Sequence, residues 1–295
     1  MRKMKKMIAL VVSAVMTLAV MTGCGSSGSA TSATKGATEK TTTEALAPEV
    51  QAIVDRGVLR VGVKNAVIGF GFQDTLTGKY SGMEIDLAEK IAESLGVDVE
   101  FTAVTAATRG ELLDSGALDC VLATFTITDE RRKSWDFSTT YYTDHVTVLV
   151  ENSSNIKSLQ DLKGKVVGVS SGSTSARSLV SAMIEKGVIK GDGFSKDTFD
   201  AATWKEGVSF QQYDDYPTIS TALSANEVQA FCVDKSILAV YNTDKRSYIA
   251  EEFAPQEYGV ATKKGSAFST YVDKLISGWV ADGTVDSLIK KYNLQ

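Results

Sequence analysis

Histidine is almost missing from this chain: 295 residues contain one, His145. That excludes a poly-histidine metal centre, and three cysteines are too few for a disulfide scaffold. Basic residues are not in excess. With 31 Lys and Arg against 36 Asp and Glu, the formal net charge is -5, which argues against a nucleic-acid binder, because those concentrate positive charge. No apolar run is long enough to span a membrane; the longest, residues 7–20, falls short of the roughly 20 residues required. What is present is ordinary for a folded protein: 43% hydrophobic and 8% aromatic residues, enough for a substantial core and for about two domains.

The N-terminus is an address rather than a structural element. Arg2, Lys3, Lys5 and Lys6 precede the apolar run, and Met21-Thr22-Gly23-Cys24 follows it. A basic segment, a short apolar segment and small residues before a cut describe a secretory signal. The last four residues resemble a bacterial lipobox, which implies cleavage after residue 23 and a lipid on Cys24. Residues 25–46 are 22 in number, and 17 of them are Ser, Thr, Gly or Ala; such a stretch cannot bury apolar area and reads as a tether. Cleavage removes four basic and no acidic residues, leaving 27 basic against 36 acidic, a net charge of -9.

From Pro48 onward, short β-rich runs alternate with amphipathic helical stretches. Strands are expected at 57–63, 97–101, 118–123, 165–169, 210–213 and 230–233. Helices are expected at 83–95, closed by Gly96, at 175–186, at 216–225 and over 268–292. Thr108 and Glu111 have capping-box spacing, which predicts a helix opened by Thr108. Alternation of this kind means an α/β fold with largely parallel sheets. Two β-rich runs, 144–150 and 258–262, are long enough to connect lobes. The expected organisation is a signal over 1–23, a lipidated tether over 24–47, a first lobe over 48–144, a second over 145–257, and a return to the first over 258–295. Ligands of α/β sheets bind at the carboxyl ends of strands, so two facing lobes would line one cleft.

One enzyme motif occurs. Gly168-Val169-Ser170-Ser171-Gly172 matches G-x-S-x-G between a strand and a helix, as a nucleophile elbow requires. That arrangement places its histidine after the serine, whereas His145 precedes Ser170. No catalytic residue is therefore assigned, and an enzyme is not expected. A strand-to-helix turn with free N–H groups and hydroxyls suits a carboxylate instead. A second constellation runs Thr124-Phe125-Thr126-Ile127-Thr128-Asp129-Glu130-Arg131. Thr128 can cap a short helix, and Thr126 with Arg131 could clamp a carboxylate. Chemistry alone leaves open a surface pairing of Arg131 with Asp129 or Asp136.

Five segments, ATFTITDERR (123–132), DFSTTYY (136–142), GMEIDLAEKIAESLG (82–96), SLQDLKGKVVGVSSGST (158–174) and AFCVDKSIL (230–238), resemble in sequence and order the polar amino-acid solute-binding proteins of ABC importers. The resemblance covers about residues 50–295. It implies a type II periplasmic-binding-protein fold, with two α/β lobes that close on a hinge over one amino acid, and residues 144–150 and 258–262 as the hinge strands. It implies that Arg131 binds the ligand α-carboxylate with Thr126 and the Thr124 backbone, that Ser173 and Thr174 reach the same group from the second lobe, and that Asp234 accepts the α-ammonium. Permease and ATPase subunits would be the partners of a monomer on the outer face of the bacterial cell membrane, with no cofactor and no metal.

Lys64 stands where many members of that family carry an acid, and Arg109, in TRGELL, resembles the aspartate and glutamate binders. Arg131, Arg109 and Lys64 against Asp234 give a cleft near +2, suited to a ligand with two carboxylates and one ammonium. Cysteine or cystine, another polar amino acid such as glutamine, and a ligand-sensing role for the same fold are the alternatives. Phe70 and Phe72 are expected to form an aromatic wall, with lobe-1 core packing as the alternative. Tyr216 either reaches the ligand or fills lobe 2. Cys120 and Cys232 are expected to be buried free thiols.

Overall fold

The helix Pro48–Arg56 begins with proline inside its first turn and stops at Gly57, whose φ of +75° turns the chain left-handed. The β-branched run that follows, Val58–Val63, enters a five-stranded sheet. The computed structural model describes residues 46–294; the expected signal, the lipidated Cys24 and nearly all of the tether lie outside the described residues. Among the described residues, no helix is long and apolar enough to cross a membrane.

Two sheets define two lobes. In the first, the strand order is Asp98–Ala103, Val58–Val63, Cys120–Leu122, Ala261–Lys263, Trp135–Phe137. The first three run parallel. The helix Met83–Leu95 covers this sheet and ends at Gly96, φ +68°, as expected from its period. In the second lobe the order is Val208–Tyr213, Lys165–Ser170, Ala230–Asp234, Tyr142–Glu151, Arg246–Tyr248, again with three parallel neighbours at one side. Period-2 alternation sorts the lobe-2 side chains. Val167, Val169 and Cys232 share a core with Leu179, Val180 and Met183 of the helix Ser175–Glu185. Phe231 and Val233 instead meet Ile219 and Leu223 of the helix Tyr216–Ser224. Both sheet faces are thus covered, as parallel strands require.

Several local expectations change. The second connection, expected over 258–262, is built from two strands: Phe253–Tyr258, antiparallel to Tyr142–Glu151, and then Ala261–Lys263 in the lobe-1 sheet. A register shift between Phe253 and Pro255, with Ala254 at φ +48°, kinks the first of these. The expected C-terminal helix is two helices, Ala267–Ala281 and Thr284–Lys291, separated at Gly283, φ +82°. The Thr108 capping box does not form. Ala107 is the N-cap of the helix Thr108–Asp114, and the Thr108 hydroxyl accepts the Thr105 N–H at 3.0 Å. The helix Asp129–Ser134 is capped as expected, Thr128 Oγ1 accepting from the Arg131 N–H at 3.1 Å.

Candidate functional site

Parallel strands deliver their carboxyl ends to the same side of a sheet, and in both lobes that side carries the charged residues. In lobe 1, Lys64 follows Val58–Val63, Arg109 lies in the first turn after Asp98–Ala103, and Thr124 and Thr126 follow Cys120–Leu122. In lobe 2, Ser173 and Thr174 follow Lys165–Ser170, Tyr216 follows Val208–Tyr213, and Asp234 ends Ala230–Asp234. Lys64, Arg109, Thr124, Thr126, Thr174, Tyr216 and Asp234 are all buried.

The lobes touch across these residues. Lys64 Nζ lies 5.3 Å from the ring centroid of Tyr216. Arg131 donates from Nη1 to Thr126 O at 2.7 Å and from Nη2 to Gly172 O of lobe 2 at 3.1 Å; it does not pair with Asp129 or Asp136, and Asp136 instead binds Lys264 at 2.8 Å. Glu130 meets Arg177 at 2.8 Å. Thr126 and Thr174 both donate to Oε1 of Gln256, at 2.9 and 2.7 Å. Ser173 Oγ is buried with no hydrogen-bond partner among the described residues.

Electrostatics follow from crowding cations out of water. Burial, reinforced by the charge of Arg109, pushes the Lys64 ammonium down to about 7. Arg131 is lowered by burial and then by Arg109. Burial, then the neighbouring carboxylate of Asp144, raises Asp234 to about 7. Each shift favours the uncharged form, as desolvation does wherever a counter-charge is insufficient.

Four contributors escape a reading of the sequence alone. Glu84, wholly buried, accepts from the Thr124 N–H and the Tyr141 phenol, each at 2.6 Å, so the Thr124 N–H expected near a carboxylate is already engaged. With Glu84 counted, the cleft is nearer +1 than +2. Phe125 is the second: the guanidinium carbons of Arg109 and Arg131 lie 3.8 and 4.9 Å from its ring centroid, a cation–π arrangement that steers both arginines. Gln256 and Tyr258 are the others, both from the second connecting strand. Arg109 spends Nη1 on Ala123 O and Thr124 O, while its Nη2 makes no hydrogen bond among the described residues. Phe70 is fully buried, edge-on to Tyr142 and Tyr258 at 5.0 and 5.8 Å between centroids.

Two cavities, of about 570 and 540 Å³, flank the Glu130–Arg177 contact between the lobes; Thr126 and Gln256 line the first, Arg131, Ser170 and Ser173 the second. A cavity of about 840 Å³ lies elsewhere, on lobe 2 beside Arg246. Arg246 already donates five hydrogen bonds, to Glu151, Ser220, Ser224 and Tyr241, so it has no donor left for a ligand. Among the described residues no three His, Cys, Asp or Glu side chains could share a metal ion. Cys120 and Cys232 are buried free thiols, each raised by burial.

Residues 59–295 match the model of one family, the bacterial extracellular solute-binding proteins, family 3. The chain belongs to that family. Among similar proteins of this family, the ABC transporter glutamine-binding protein GlnH of Bacillus subtilis (strain 168) is 29% identical, over 86% of this chain and 87% of its own. The L-cystine-binding protein TcyJ of Escherichia coli (strain K12) is 31% identical, over 81% and 84%. The L-glutamate/L-aspartate-binding protein of Pseudomonas aeruginosa is 27% identical, over 85% and 82%. A solved structure, an ancestral arginine-binding protein bound to arginine, superposes with a TM-score of 0.67 at 33% identity, over 80% of this chain and 98% of its own. The fold of this solute-binding protein is the type II periplasmic-binding-protein fold, with two α/β lobes and the cleft at the carboxyl ends of their parallel strands.

Proposed function

We propose that this solute-binding protein captures an acidic amino acid, glutamate or aspartate, for an ABC importer whose permease and ATPase subunits are its partners. It acts as a monomer held by a lipid on Cys24 at the outer face of the bacterial cell membrane. Arg131 binds the α-carboxylate, assisted by Thr126, Ser173 and Thr174, and Asp234 takes the α-ammonium; the Thr124 backbone, expected beside the same carboxylate, is left out because its N–H is held by Glu84. Contacts from both walls favour the closed arrangement of the lobes, so binding energy is converted into closure.

The observation that carries the choice of ligand is Lys64. It is 5% exposed, faces Tyr216 of the other lobe, and makes no hydrogen bond among the described residues. A buried ammonium without an acceptor is costly, and a side-chain carboxylate is the partner that would remove the cost; Arg109 Nη2 is a second donor for it. One observation favours glutamine instead: Glu84 already offsets one cation, and glutamine and cystine binders are among the relatives.

Calorimetric titration with glutamate, aspartate, glutamine and cystine decides between them. Glutamate or aspartate is expected to bind most tightly. Lys64→Met is expected to weaken glutamate by at least tenfold, about 1.4 kcal/mol, while changing glutamine little. Tighter binding of glutamine or cystine by the unaltered protein overturns the acidic ligand.

A further inference from the structure

The peptide unit that joins Ala123 to Thr124 is gripped from both ends. Its N–H donates to Glu84 Oε1 at 2.6 Å, and its carbonyl oxygen accepts from Arg109 Nη1 at 2.6 Å. Thr124 Oγ1 also donates to that oxygen, at 2.9 Å. Thr124 itself sits at φ +45°, a left-handed conformation that a non-glycine residue keeps only where its surroundings hold it. Glu84 is 0% exposed, in the first turn of Met83–Leu95. Both groups that meet its Oε1 are donors, the Thr124 N–H and the Tyr141 phenol, and its Oε2 has no partner among the described residues. Burial raises the Glu84 carboxyl above its ordinary value; the two hydrogen bonds and then the charges of Lys64 and Arg109 oppose that rise, and these are the same two cations that face the ligand side chain in the acidic amino-acid reading.

We propose that Glu84 is a positioning residue that also sets the charge of the ligand: through the Thr124 N–H it holds the loop carrying Thr124 and Thr126, and its carboxylate is a built-in counter-ion that limits how many carboxylates the site accepts. Here the name of the ligand rests on the acidic reading, but the role of Glu84 does not. A ligand that brings its own side-chain carboxylate competes with Glu84 for Lys64 and Arg109. A neutral ligand leaves that balance to Glu84.

The Glu84→Gln and Glu84→Ala variants separate the two roles, with glutamate and glutamine affinities measured by calorimetry. Glutamine at position 84 keeps a carbonyl oxygen for both donors and loses the charge. The expected result is an affinity ratio of glutamate to glutamine raised at least tenfold, with glutamine itself nearly unchanged. Glu84→Ala is expected to lower both affinities by at least tenfold, because Thr124 is released. An unchanged ratio in Glu84→Gln overturns the charge role, and affinities at the level of the unaltered protein in Glu84→Ala overturn the positioning role. Where either variant fails to fold, Glu84→Asp decides: it keeps the charge but withdraws the acceptor, so both affinities should fall at constant ratio, and a changed ratio overturns the proposal. If the unaltered protein prefers a neutral amino acid, the acidic reading fails, while the shift of ratio in Glu84→Gln still tests Glu84.

Discussion

The phenol of Tyr258 donates to Oδ2 of Asp234, tying a strand that connects the lobes to the acid at the heart of the cleft. Asp144, on the neighbouring connecting strand, accepts from the same phenol at 3.4 Å. Burial and the charge of Asp144 raise Asp234 to about 7. An acid whose folded pKa lies above its ordinary value favours its protonated form, so the stability it supports is present at low pH and is lost as pH rises towards 7. Asp234→Asn is therefore expected to stabilise the ligand-free protein at pH 8, by about 2 kcal/mol or roughly 4–8 °C in Tm, with little gain at pH 4. The same substitution should weaken ligand binding by at least tenfold, because the ammonium loses its carboxylate. Melting curves at the two pH values check this; an unchanged or lower Tm at pH 8 contradicts it.

Lys64 is lowered and Asp234 raised, each to about 7, and the proposed acidic ligand would depend on the charge of both. Asp234 must be ionised to hold an ammonium, which favours pH above about 7. Lys64 must be charged to hold a side-chain carboxylate, which favours pH below about 7. Glutamate affinity is expected to pass through a maximum near neutral pH and to decline by up to about tenfold per unit on the alkaline side. Glutamine should show the acidic limb alone and level off. Parallel profiles for the two amino acids would exclude Lys64 as the partner of a carboxylate.

Arg131 joins the lobes through Thr126 O and Gly172 O while lying over Phe125. Its removal strands a desolvated carboxylate, so Arg131→Ala should cost about 3 kcal/mol or more of binding energy. Arg131→Lys restores charge without the planar fork and is expected to recover less than half of that loss. Calorimetry on both variants is sufficient, and retained affinity in Arg131→Ala removes Arg131 from the clamp.

Much of this architecture was legible because β-branched runs and helical periods act locally. Strand Lys165–Ser170 and helix Met83–Leu95 follow from side-chain pattern alone. Asp234 and Lys64 were singled out by the resemblance to the amino-acid solute-binding proteins, not by side-chain pattern. Glu84 was not legible, since a carboxylate beside the stripe Met83, Leu87 and Ile91 looks like the start of a solvent face; its burial comes from Thr124 and Tyr141, 40 and 57 residues away. Gln256 joins Thr126 and Thr174 across separations of 130 and 82 residues, and no local pattern encodes such a bridge. Thr108 failed as a cap because Thr105, three residues earlier, offers its N–H to the same hydroxyl.

Closure itself can be tested at Gly172, a residue with no ionisable side chain of its own whose carbonyl accepts from Arg131 Nη2. A Cβ at this position would meet Ala106 O at 2.8 Å and Ala107 Cα at 2.9 Å, backbone atoms of the opposite lobe that cannot rotate aside. Gly172→Ala is therefore expected to hold the lobes apart. Small-angle scattering should then show no compaction on adding saturating ligand, and affinity should fall at least tenfold, about 1.4 kcal/mol. The substitution also places alanine at φ +72°, a strain of about 1 kcal/mol that by itself could lower Tm. Gly164→Ala supplies the control: its φ is +74°, and nothing lies within 4 Å of the added Cβ. Equal losses of Tm in the two variants, with binding and compaction lost only in Gly172→Ala, assign the defect to blocked closure. Normal compaction of Gly172→Ala would mean that the lobes close without the Gly172–Ala106 contact.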